Sequence, residues 1–78
     1  MAVEYNKLWK MLIDKKMRKT DLIQAAGIST NILARLGKGE YVAMESLEKI
    51  CKAMDCNIGD IAEFVFEDSW EDVDEGQK

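Results

Sequence analysis

Residues 20 to 39 read TDLIQAAGISTNILARLGKG, with Gly27 set between two short stretches whose apolar residues both recur at helical spacing. A glycine that ends an apolar period is a helix stop, because it enters left-handed backbone without a steric penalty. Here the pattern resumes at once. Ser29 can cap the new helix by accepting a hydrogen bond from a free N–H of its first turn. The stretch predicts two helices, 19–26 and 30–37, folded sharply against each other. Leu22, Ile23 and Ala26 turn inward on the first, and Gly37 and Gly39 close the second.

Rotating the second of these helices by about 100° per residue sorts its side chains into two arcs. Ser29, Ile32, Leu33 and Leu36 fall on one side, while Thr30, Asn31, Ala34, Arg35 and Lys38 fall on the other. The outer arc is short, polar and basic without an acid, whereas a merely solvated face mixes both signs. Its groups suit base edges in a DNA major groove: Asn can bond adenine in a bidentate way, Arg guanine, and the Thr and Ala methyls can meet the thymine methyl.

Helical periods extend outward from this pair. Tyr5, Leu8, Trp9 and Leu12 recur at i, i+3, i+4 and i+7 and predict a helix over about 5–16, with Lys7, Lys10 and Asp14 outside its stripe. A fourth helix, about 44–55, gathers Leu47, Ile50, Cys51 and Met54. Asn57 is placed to cap a fifth carrying Ile58, Ile61, Ala62 and Val65. The chain has no proline and no convincing alternating strand pattern, so the expectation is an all-α domain of five helices over residues 1–66. Residues 67–78, EDSWEDVDEGQK, form an acidic tail, the one biased segment.

With 78 residues there is room for one hydrophobic core. A composition of 47% hydrophobic and 33% charged residues reads as soluble and globular. No apolar run approaches the roughly 20 residues that span a bilayer. The start, MAVEYNKLWK, lacks the apolar stretch of a secretory signal, so a cytoplasmic protein without membrane partners is expected. Cys51 and Cys56 are the only cysteines, and no histidine is present to complete a tetrahedral metal site. They read as small buried or half-buried hydrophobes in a reducing compartment. With no histidine, no glycine-rich phosphate loop and no nucleophile paired with a base, no catalytic constellation assembles, and no metal, cofactor or small-molecule effector is expected.

The net charge of −4 averages over unequal parts. Residues 1–38 hold eight Lys or Arg against three acids, residues 39–66 two against six, and residues 67–78 one against six. The balances, +5, −4 and −5, put all the positive potential in the half that carries the paired helices.

Residues 19–39 resemble the helix-turn-helix of the lambda-repressor and Cro type, a family of small bacterial and phage regulators with five-helix DNA-binding domains. The resemblance extends over residues 5–65. It rests on Leu22 and Ala26 in the motif's first helix, Gly27 and Ile28 at the turn, Ser29 as cap, Leu33 and Leu36 facing inward, and Gly39 in the following loop. MESLEKICKAMDCNIGDI, residues 44–61, resembles the family's fourth helix and the start of its fifth. Three positions depart from the pattern. Lys19 stands where many members have Gln, Gly37 where many have Glu, and Ile23 where many have Ala at the close helix crossing. The last implies either a wider crossing or an outward-leaning Ile23.

The resemblance implies a transcriptional regulator whose partner is a double-stranded DNA operator, with Thr30, Asn31, Ala34 and Arg35 reading bases and Lys19 and Lys38 contacting phosphates. Lys15, Lys16 and Arg18 are either further phosphate contacts or solvated charge. Family members pair on two-fold symmetric sites, which implies a homodimer. Phe64, Val65, Phe66 and Trp70 then either form its interface or cover the monomer's own core. The acidic tail either competes with phosphate for the basic face or merely aids solubility. A different class of function stays open at this point: a protein-interaction module such as an antitoxin or anti-repressor, whose acidic half would face a basic partner.

Overall fold

The computed structural model describes residues 2–66; the acidic tail expected over 67–78, with Trp70, lies outside them. Among the described residues the chain forms four α-helices and a two-stranded sheet. The order is β1 (Ala2–Glu4), α1 (Asn6–Asp14), α2 (Lys19–Ala26), α3 (Thr30–Gly37), α4 (Met44–Met54), a single 3-10 turn (Ile58–Asp60) and β2 (Glu63–Val65). The strands pair antiparallel with Val3 opposite Phe64, so the two ends of the described chain lie side by side.

The helices sit where the periodicity predicts them, and their ends follow one rule: each is stopped by a left-handed residue. At α2 this is Gly27, with φ 72°, whose N–H returns to the Ile23 carbonyl at 2.9 Å. At α3 it is Gly39, also at φ 72°, with the Glu40 N–H on the Arg35 carbonyl and the Gly39 N–H on that of Leu36. A side chain at Gly39 is disfavoured for a second reason, since a Cβ there would stand 3.3 Å from the Val3 carbonyl oxygen of β1. At α1 and α4 the left-handed residues are Lys16 and Asp55, which have side chains.

The core is a single cluster whose most deeply buried members are Leu8 of α1, Leu22 of α2, Leu36 of α3, Ile50 of α4 and Ile61. Each such side chain contributes about 1.5–3 kcal/mol of hydrophobic stabilisation. Because each comes from a different segment, no helix can leave without exposing the rest. Ile23 is half-buried and packs on this cluster.

Two expectations are corrected. The fifth helix does not form, and two strands do. Asn57 is the cap predicted, with Oδ1 accepting the Ile58 N–H at 2.9 Å while Asp60 Oδ2 accepts the Asn57 N–H at 2.9 Å. The helix it starts runs for only one 3-10 turn, Ile58–Asp60. Gly59 in that turn costs about 1 kcal/mol relative to alanine. The following Glu63-Phe64-Val65 favours extended backbone through its aromatic and β-branched residues. Pairing with β1 then satisfies backbone groups that a frayed helix end would leave open. Ile61 still reaches the core, but Phe64 and Val65 pass to the sheet. Tyr5, expected inside the first helix, lies between β1 and α1 instead, and exposed Ala2 and Glu4 alternate with buried Val3 and Tyr5 as along a strand.

Tyr5 also ties the sheet to the loop after α3. Its hydroxyl donates to the Glu40 carbonyl at 2.8 Å, and burial, with Tyr41 nearby, raises its pKa so that it stays a donor. Tyr5→Phe should therefore lower the unfolding free energy by about 1 kcal/mol with an unchanged denaturant slope. Urea unfolding checks this, and an unchanged midpoint would show that the bond makes no net contribution.

Candidate nucleic-acid interface

α3 has eight residues, too few to be stable alone in water. Its position is therefore set by what surrounds it. The left-handed turn at Gly27 reverses the chain, Ile28 is buried directly after it, and Ser29 caps the helix by accepting the Ile32 N–H at 3.1 Å. Leu36 is buried, and Ile32 and Leu33 are half-buried against the same core. That leaves Thr30, Asn31, Ala34, Arg35 and Lys38 exposed together along the outer arc, five groups within about 140° of the helix circumference.

Lys19, the other cation expected at DNA, is exposed at the start of α2. Its ammonium lies 4.3 Å from the centroid of the Trp9 ring on α1. Such a cation–π contact is worth about 0.5–1 kcal/mol at an exposed site and holds a flexible side chain in one place. Trp9 is the element that the sequence reading missed in this role. Its period on α1 marks it as a core residue, and nothing local signals a partner ten positions away.

The start of α2 is also organised by charge. Asp21 lies in its first turn and accepts the Arg18 N–H at 2.8 Å, chiefly for which reason its carboxyl titrates below its usual range. Arg18 reaches back to the same carboxylate at 3.6 Å. That pair is exposed and contributes little to stability, but it directs Arg18 along the helix. Lys15 and Lys16 are exposed. The arrangement presents hydrogen-bonding side chains on one helix and cations beside it, which suits a polyanion with readable edges.

Comparison with known proteins agrees with this geometry. Residues 7–67 match the model of the Cro/C1-type HTH DNA-binding domain. An HTH-type transcriptional regulator of Bacillus subtilis (strain 168), YozG, is 41% identical over 56 residues, covering 69% of this chain and 67% of that protein. The crystal structure of the transcriptional regulator VanUg superposes with a TM-score of 0.80 at 47% identity, covering 85% of this chain and 88% of that one. With its Gly27 turn, its capped α3 and these matches, the chain belongs to the family of Cro/C1-type helix-turn-helix DNA-binding domains.

Proposed function

We propose that this chain is a transcriptional regulator that binds double-stranded DNA sequence-specifically, with α3 in the major groove. The observation that carries the reading is the exposed, acid-free outer arc of α3, held by a buried inner arc. In this reading Asn31 and Arg35 bond base edges, Thr30 and Ala34 pack against them, and Lys19 and Lys38 bind phosphates on either side. Residues 1–66 form the DNA-binding unit and 67–78 a separate acidic segment. Control comes from occupancy of the operator, and the protein works in the cytoplasm, where its DNA is.

Asn31→Ala and Arg35→Ala should each cost about 1–3 kcal/mol on the preferred site, with much less loss on unrelated DNA. Lys19→Ala and Lys38→Ala should weaken both kinds of DNA alike and flatten the salt dependence. A site selected from a random duplex library provides the specific probe for titrations. Equal weakening on both DNAs by the first pair would reduce them to phosphate contacts, and no affinity for any duplex would overturn the reading.

The protein binds its operator as a homodimer, because one short recognition helix reads few base pairs. The second copy docks at the sheet. A two-stranded sheet keeps open edges, and an apolar groove of about 540 Å³, bordered by Tyr41, Met44, Ile58 and Phe64, runs beside it. Phe64 is 60% exposed and Phe66 50%, more aromatic surface than a solvated strand needs. Sedimentation should show a dimer that Phe64→Glu converts to a monomer of unchanged helicity. Monomers alone at high concentration, both free and with operator, would exclude this assembly.

The acidic segment, with six acids against one base, competes with phosphate for the basic face. A truncation ending at Phe66 should bind non-specific DNA more tightly than the full chain at low salt. The two should converge near physiological salt, where the screening length is about 8 Å. Matching affinities at every salt concentration would remove the segment from recognition.

A further inference from the structure

The two cysteines meet where α4 ends. Asp55 is left-handed there (φ 56°, ψ 54°), the Cys56 N–H donates to the Cys51 carbonyl at 3.0 Å, and the Asp55 N–H donates to that of Lys52 at 3.4 Å. This pair of bonds defines the helix ending in which the residue after the left-handed one folds back onto the side chain five positions earlier. α1 ends in the same way around Lys16, with the Met17 N–H on the Leu12 carbonyl at 2.8 Å and the Lys16 N–H on that of Ile13 at 3.0 Å. There the motif joins Leu12 of the core to Met17, half-buried against it. At α4 both positions are thiols, carried by the two residues that the fold-back joins through a backbone bond. Both cysteines are free and half-buried, and Cys51 opens onto a shallow cavity of about 580 Å³.

The surroundings of the pair are acidic. Glu45 and Glu48 border the same cavity as Cys51, and Asp55 and Asp60 act on Cys56. From the Ile58–Asp60 turn packed on α4, Asp60 is the one charged group. Lys52, about 100° around the helix from Cys51, lies on the stripe of Glu45 and Glu48, and Lys49 stands at about 160°; neither borders the cavity, and the carboxylates near the sulfurs outnumber them four to two. An anionic reagent is therefore repelled from these sulfurs and a cationic one attracted.

We propose that Cys51 and Cys56 form a redox-active dithiol that exchanges with small amine-bearing disulfides in preference to anionic ones, and closes to a reversible intramolecular disulfide. In the first step the Cys51 sulfur, losing its proton to solvent, attacks one sulfur of the reagent. A mixed disulfide forms and one small thiol leaves. In the second, Cys56 loses its proton and attacks the Cys51 sulfur, releasing the second small thiol. The protein gives up two electrons and two protons, and the reagent disulfide becomes two thiols. Burial and the neighbouring Cys51 push the Cys56 thiol up to about 11, so at neutral pH it is protonated and the entering attack falls to Cys51. Closure draws on the helix ending, whose backbone bond from Cys56 to Cys51 already brings the two residues together.

The test uses the full chain with cystamine, oxidised glutathione as the anionic comparison, and mass spectrometry with thiol titration as readouts. The folded protein should end lighter by two hydrogens with no reagent retained. Its mixed disulfide should close roughly tenfold faster than in urea, where the pair is no longer preorganised. Cystamine should outpace oxidised glutathione severalfold at low salt, the gap narrowing as salt screens the four carboxylates. Cys56→Ser should stop at a stable mixed disulfide on Cys51, with helicity checked by circular dichroism. Persistent mixed disulfides on both cysteines, closure as fast in urea as in the native protein, or oxidised glutathione reacting as fast as cystamine would each overturn the proposal.

Discussion

The surface offered to DNA depends on one constraint, which is that α3 cannot exist unless its inner arc is buried. Eight residues form at most two turns, and the nucleation cost of a helix that short exceeds what its own hydrogen bonds return. Burial of Leu36, with Ile32 and Leu33 beside it, supplies the difference. The direction in which Asn31 and Arg35 project is thus a consequence of where Leu36 fits. Gly27 sets the crossing with α2, and α4 packs on α2 from another side, so the recognition helix is held at second hand by the whole core.

What was legible in the sequence was whatever a local period could carry. The four helices have one apolar face each, and the ends of α2, α3 and α4 are marked by Gly27, by Gly39 and by the next cap, Asn57. The motif was readable because its signals are close together and each has a physical reason. The carboxyl end was not, since Ile58, Ile61, Ala62 and Val65 fit a helical period as well as any true helix of the chain. What decides the matter is a partner more than fifty residues away: Val3, opposite Phe64 in the sheet. Three-residue strands are too short to show alternation against such a competing period. The same holds for Trp9 under Lys19, a contact made between two helices and written in neither.

The helix endings show a related division of labour. At Gly39 a side chain is disfavoured twice, by the left-handed φ and by a backbone oxygen 3.3 Å from where a Cβ would stand. Lys16 and Asp55 adopt the same conformation with side chains, each at the cost of some local strain. That cost is offset where the fold-back reaches the core, as it does at Leu12. At Asp55 the fold-back joins two half-buried cysteines, so the ending is held less by packing and more by its two backbone bonds.

The sheet and the recognition helix are coupled through the loop between α3 and α4. Gly39 leaves no more than tight room for a side chain beside the Val3 carbonyl, and the next residue, Glu40, accepts the Tyr5 hydroxyl, which fastens the end of α3 to the residue that follows β1. A partner docked on the sheet would therefore be referenced to α3 through a short hydrogen bond and a close backbone approach rather than through a flexible connection. If two copies join there, the separation of their recognition helices becomes a property of the fold and selects half-sites of one spacing. Loosening that loop would leave each helix intact while blurring the distance between them, and discrimination between half-site spacings would fall before affinity for a single half-site does.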